Sequence, residues 1–94
     1  MPEITADSLV SRNSDILTAE VGGELVLMSV ARWHYFGLDP IGTDIWKRLE
    51  KRQTVGELCA ALADTYEGDQ ATIQRDVIEF LSGLAGKDLL ELFA

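Results

Sequence analysis

Cysteine is almost absent from this chain. Cys59 is the only one in 94 residues, which excludes an internal disulfide and any multi-cysteine zinc or iron–sulfur site supplied by the chain itself. Histidine is as scarce: His34 stands alone, and a metal site would then need Asp and Glu ligands in quantity, whereas the carboxylates are scattered along the surfaces of the expected helices. No metal or cofactor is expected. Basic residues are few as well. Eight Lys and Arg stand against 16 Asp and Glu, a formal net charge of -8, which argues against a duplex nucleic-acid surface because affinity for phosphates comes from clustered cations. The local group Lys47, Arg48, Lys51 and Arg52 falls at one expected helix end, where cations complement the negative end of the helix dipole. No apolar run approaches the roughly 18 residues that a membrane span requires. The start, MPEITADSLV, has neither the basic residues nor the continuous apolar stretch of a signal peptide, so the expected location is the cytoplasm. There is no glycine-rich phosphate loop, no serine-centred elbow, no repeat and no low-complexity linker.

What is present is enough to fold. A hydrophobic fraction of 47%, with Trp33, Trp46, Phe36, Phe80 and Phe93, is too rich for disorder. At this length one domain, residues 1–94, is expected, and it buries only about 60 to 65% of the surface its unfolded chain exposes, which leaves little room for a deep substrate cavity. Residues 1–8 carry little apolar content and read as a loose start, with a short extended piece at Leu9 and Val10. Residues 16–21 read as a half-buried strand, and Gly22-Gly23 is a hairpin signal because tight hairpin turns use positive φ. Residues 24–30 give the second strand. After a turn at Ala31-Arg32, residues 33–38 give a third, with Trp33 and Tyr35 alternating with His34, Phe36 and Leu38. The expectation is a three-stranded antiparallel meander whose third strand is a sheet edge.

Helices follow. Asp39 suits an N-cap and Pro40 the first helical position, opening a helix over 40–51 with Ile41, Ile45, Trp46 and Leu49 on one stripe. Trp46 is expected in the core. Thr54 with Glu57 three residues on is a capping box for a second helix, whose face is Val55, Leu58, Cys59, Leu62 and Tyr66. Glu67-Gly68-Asp69 turns the chain into a third helix with Ile73, Val77, Phe80, Leu81 and Leu84 along its stripe, Asp76 at the border, and Gly83 and Gly86 loosening its end. Residues 88–94 are apolar enough to pack back. The class is α+β, and the element order, a β-hairpin wing beside a helix-turn-helix, is winged-helix-like.

Three blocks, YFGLDPIGTDIW, TVGEL and DVIEFLSGLAGKDLL, resemble the PqqD-like family, with the likeness running over about residues 9 to 90 and strongest in the first block. That resemblance implies a small winged-helix domain that recognises precursor peptides in pathways making ribosomally synthesised, modified peptides. The form with Trp46 shortly after Gly42 looks most like the stand-alone leader-binding protein of lasso-peptide biosynthesis. It implies a non-catalytic protein that binds the leader of a precursor peptide and delivers it to a leader protease and a ring-closing synthetase. The groove so implied lies between the third strand and the third helix. It carries over to Trp33, His34, Tyr35 and Phe36 on the strand and Ile73, Asp76, Val77 and Phe80 on the helix. Alternation lets about half of the strand residues face it, and the residues alone leave open which half.

The residues by themselves allow core packing as the plain account of the aromatic cluster, against a sheet edge that receives an extended peptide. A DNA-binding winged-helix regulator is the alternative. Between Asp69 and Gly86, however, Arg75 is the only cation, set among Asp69, Asp76 and Glu79. A small enzyme using Cys59 and His34 lacks any supporting motif, so no catalytic residue is expected.

Overall fold

The computed structural model describes residues 4–93. In chain order these form β1 (Leu9–Arg12), β2 (Leu17–Val21), β3 (Glu24–Ser29), β4 (His34–Leu38), α1 (Pro40–Arg48), β5 (Gln53–Thr54), α2 (Val55–Thr65), α3 (Gln70–Gly86) and β6 (Leu90–Phe93). The class is α+β with antiparallel strands and three helices, as expected. The meander is present in the order β2-β3-β4, turned at Gly22 and Gly23 with φ of 61° and 86°. Its register sets Leu25 opposite Leu38, Leu27 opposite Phe36 and Ser29 opposite His34, so these six residues share one face. Leu25, Leu27 and Leu38 on that face are buried, whereas Val26 and Met28 on the other are only half-buried.

A second sheet, β5-β1-β6, is not legible in the residues as such: only Leu9-Val10 and the apolar end suggest extended chain. Strand β1 pairs with β6 over Leu9–Phe93 to Arg12–Leu90 and with β5 at Leu9–Thr54 and Val10–Gln53, burying Val10 completely. The expectation of a loose start is corrected for the residues described. Ile4 is buried, the Ser8 carbonyl accepts from the Val55 amide at 3.0 Å and the Ala6 carbonyl from the Gly56 amide at 2.9 Å, so this segment caps the first turn of α2. Residues 1–3 and Ala94 lie outside the described residues.

Two strand expectations need correction. Trp33 is in the turn before β4, with φ 56° and its side chain 78% exposed, because the reversal after Val30 requires a residue in the left-handed region and Trp33 takes it, at a cost of about 1–2 kcal/mol. Strand β2 is exposed along its whole length and not half-buried. Among the described residues it pairs only with β3, and its core-side positions are Thr18 and Glu20, which gain nothing from burial.

Helix α1 starts as the sequence implies. Asp39 Oδ1 accepts from the Gly42 amide at 2.6 Å, and Pro40 occupies a first-turn position. It ends at Arg48, earlier than the expected 51, because its last carbonyls find partners outside the helix: Gln53 Nε2 donates to the Arg48 carbonyl at 2.6 Å and the Arg12 amide to the Leu49 carbonyl at 3.0 Å. The capping box of α2 is closed, with the Glu57 amide donating to Thr54 Oγ1 and the Thr54 amide to Glu57 Oε1, both at 3.1 Å. Helix α3 runs unbroken through Gly83 to Gly86. Trp46, Leu27, Leu49, Leu58, Leu81 and Leu84 are the largest fully buried side chains, each contributing about 1.5–3 kcal/mol by leaving water.

Candidate functional site

Strand β4 bonds to β3 on one side only, so its other side is a sheet edge among the described residues. Such an edge presents unpaired amides and carbonyls at alternate residues, the pattern to which an extended chain can add. The register shows which half of the strand lies on the face that β3 turns to the core. His34, Phe36 and Leu38 share the face of Leu25 and Leu27, and Tyr35 projects from the opposite face, 71% exposed, across from Met28.

Helix α3 brings the other half of the expected site together. Ile73, Asp76, Val77 and Phe80 all line one cavity of about 370 Å³, mostly apolar, between α3, the start of α1 and the α2–α3 turn. Its remaining wall comes from residues that sequence reasoning does not assign to a site: Asp39, Ile41, Gly42, Ile45, Leu62, Tyr66, Glu67, Gly68 and Thr72. Exposed Ile41, expected to pack as part of a core stripe, instead faces this opening. Gly42 sets how closely α1 approaches α3: a Cβ there would lie 3.1 Å from Asp39 Oδ1 and 3.2 Å from Phe80 Cε1.

The strand residues gather at a second place. His34, Tyr35 and Phe36 line a cavity of about 240 Å³ with Arg32, Ser29, Leu89 and the end of α3 at Gly86 and Lys87. Lys87 Nζ lies 5.2 Å from the centre of the Phe36 ring, a cation–π contact that joins β4 to the α3 terminus. Trp33 lines neither cavity. The eight expected residues therefore fall into a helix group at one cavity, a strand group at the other, and Trp33 outside both.

A polar network fixes the wall of the larger cavity. Tyr66 Oη donates to Asp44 Oδ2 at 2.7 Å, Arg48 Nε donates to Asp44 Oδ1 at 3.0 Å, and Arg48 Nη2 donates to Thr65 Oγ1 at 3.0 Å, which ties α1 to the end of α2. Burial acts to raise the Asp44 pKa, but the hydrogen bonds from Tyr66 and Arg48 and the charges of Arg48 and Lys47 outweigh it and hold the carboxyl below its ordinary value. The same hydrogen bond, with some burial, pushes the Tyr66 hydroxyl up. Burial also pushes the Cys59 thiol up, away from the thiolate a nucleophile needs, and Cys59 lines a different surface cleft from His34. Among the described residues no three His, Cys, Asp or Glu side chains converge as metal ligands, and no helix is long and apolar enough to cross a membrane.

Residues 24–90 match the sequence profile of the family described as coenzyme PQQ synthesis protein D, or PqqD. The chain belongs to the PqqD family. A bifunctional coenzyme PQQ synthesis protein C/D from Methylorubrum extorquens is 36% identical to this PqqD-family chain over 72 residues, 77% of the chain, which spans only 19% of that protein. Among solved structures, TbiB1 in complex with the TbiA(beta) leader peptide superposes with a TM-score of 0.79 at 36% identity, over 89% of this chain and 98% of TbiB1. The PqqD portion of Methylobacterium extorquens PqqCD, a stand-alone recognition element for ribosomally synthesised and post-translationally modified peptides, superposes at 0.77 with 26% identity, over 94% of each chain. A lasso peptide synthetase B1 solved with its leader peptide shares the fold at 18% identity and a TM-score of 0.76, over 87% of this chain and 96% of its own.

Proposed function

We propose that this PqqD-family domain binds the leader segment of a ribosomally made precursor peptide, as an added strand on the edge of β4 in the groove between β4 and α3. The observation that carries this reading is an open edge on β4 whose residues His34, Tyr35 and Phe36 line a cavity of about 240 Å³ together with the end of α3 at Gly86 and Lys87, while the α3 stripe lines a second, mostly apolar cavity of about 370 Å³. Backbone hydrogen bonds along the edge would supply register, and the cavities would supply selectivity for side chains. The likeness to TbiB1, solved with a leader peptide, supports the ligand class. The domain then acts without catalysis of its own and presents the bound leader to separate enzymes, a leader protease and a ring-closing synthetase, in a lasso-type pathway. Treating β2–β3 as the wing and α2–α3 as the helix-turn-helix belongs to the same reading.

Hydrogen exchange tests it. On addition of a leader peptide the amides of His34–Leu38 should exchange more slowly. Protection confined to Lys47–Arg52 would move the site away from β4. A DNA-reading role for α3 draws no support, since Arg75 is its one cation and sits 3.6 Å from the Asp76 carboxylate.

A further inference from the structure

We propose that the two ends of this groove carry opposite charge and thereby sort and orient the peptides it accepts. The ligand would place an apolar anchor flanked by Lys or Arg at the α2–α3 turn, and Asp or Glu about five residues away beside the β3–β4 turn. The proposal rests on the reading of the groove as a peptide site and adds the chemistry of the ligand.

At the α2–α3 end the charged residues lining the larger cavity are Asp39, Glu67 and Asp76, with no cation among the described residues of its walls. Asp39 is occupied as the cap of α1, through its bond from the Gly42 amide. Glu67 and Asp76 are exposed at the rim, and among the described residues Asp76 is engaged only by Arg75 at 3.6 Å, with the two side chains 73% and 64% exposed for Arg75 and Asp76 respectively. Such an exposed pair is worth little and yields to a better-placed cation. At the other end the charged residues lining the smaller cavity are Arg32 and Lys87, with His34 beside them and no carboxylate among the described residues of its walls. Arg32 is paired with Asp88 outside the cavity lining, while Lys87 lies over Phe36 and has no carboxylate within ion-pair distance among the described residues. On a protein of net charge -8 this basic end is an exception to the prevailing sign.

Geometry gives the spacing. From Asp76 to Lys87 α3 advances about 16 Å at about 1.5 Å per residue, a length that an extended strand covers in about five residues at about 3.3 Å each. An edge strand by itself accepts a partner running either way. A ligand laid in the wrong direction would bring its cation to Lys87 and its carboxylate to Glu67 and Asp76, so the charges fix direction while the apolar anchor supplies most of the affinity.

Selection from a displayed library of random peptides of about twelve residues tests this, using the protein, a Glu67→Gln/Asp76→Asn variant and a Lys87→Gln variant, each checked by thermal melt for an unchanged fold. The protein should enrich an apolar anchor beside Lys or Arg with Asp or Glu about five residues off. The first variant should lose only the preference for the cation, and the second only the preference for the acid. A selected peptide resynthesised with its two charges exchanged should bind about tenfold more weakly at low ionic strength, and the gap should close near 1 M salt, where screening acts within about 3 Å. Enrichment of apolar anchors with no charge preference overturns this proposal and leaves peptide binding standing. Failure to enrich any sequence overturns the peptide reading itself, and this proposal with it.

Discussion

Replacing Gly42 by Ala isolates the larger cavity from the stability of the fold. A Cβ at this position would lie 3.1 Å from Asp39 Oδ1, 3.2 Å from Phe80 Cε1 and 3.3 Å from Phe80 Cζ, all tighter than ordinary contact, so something must give by a few tenths of an ångström. The Asp39 oxygen is held by its bond to the Gly42 amide, whereas the Phe80 ring is half-buried and borders open space, so the ring moves and narrows the cavity. Crowding of this kind costs about 1–3 kcal/mol, and removing a glycine from a helix returns about 0.8–1 kcal/mol. The net loss should therefore be about 0–2 kcal/mol, with Tm falling by about 4–8 °C per kcal/mol in a chain of this size. Leader affinity, read by titration calorimetry on the same folded sample, should fall by about tenfold because the anchor's pocket is reshaped. Full affinity in Gly42→Ala with a displaced Phe80 ring would refute the assignment of this cavity to the ligand. A stability loss above about 3 kcal/mol would show that the contact is a core contact and not a wall that can yield.

Trp46, 1% exposed, should cost about 3–5 kcal/mol when truncated to Ala in urea unfolding, as expected for a buried aromatic. Asp44 has a folded-state pKa below its ordinary 3.8, so the stability it contributes is fully present above that value and is lost as pH falls through the lower folded value. Asp44→Asn should flatten the acid side of a Tm-versus-pH profile, and an unchanged acid slope would place the titrating group elsewhere. Tyr66, whose pKa is raised, should release its share of the network only as the pH climbs past its ordinary 10. Cys59 should react slowly with iodoacetamide at neutral pH and quickly once unfolded, because burial raises its thiol pKa; rapid labelling of the native protein would revive the thiol as a reactive group.

The helices were legible because their signals are local and repeated. Asp39-Pro40, Thr54 with Glu57, and the Ile73–Val77–Phe80 spacing each act within one or two turns, and each appears where the residues imply. The meander was legible for the same reason, through Gly22-Gly23 and the apolar run of β3. The second sheet was not, since β1, β5 and β6 have 4, 2 and 4 residues and pair across almost the whole length of the chain, too short for a periodic signal. Trp33 shows propensity losing to geometry: an aromatic suits a strand only where there is a surface to cover, and here the chain needed a turn. On the site, the resemblance to the PqqD-like family, and not the stripe by itself, named the α3 residues Ile73, Asp76, Val77 and Phe80, which line one wall of the larger cavity. Its facing wall, Ile41, Gly42 and Tyr66, depends on how α1 and the α2–α3 turn approach α3, which no spacing along the chain encodes.

The antiparallel pairing of β1 with β6 also has a mechanical meaning. Leu9 at the start of β1 faces Phe93 at the end of β6, so a force applied through the flanking segments loads the bonds from Ala6 and Ser8 to the start of α2 on one side and the Leu9–Phe93 pair on the other before the rest of β1–β6. The bonds would then break in succession like a zipper, instead of resisting together as strands pulled lengthwise in opposite directions do. A domain held this way yields at low force from its ends, while the meander carrying β4 belongs to a separate sheet and is not the first structure strained. Tension on the protein tethered at its two ends should therefore detach β6 before it disturbs the groove, and a force-extension trace should show a small early step ahead of the main rupture.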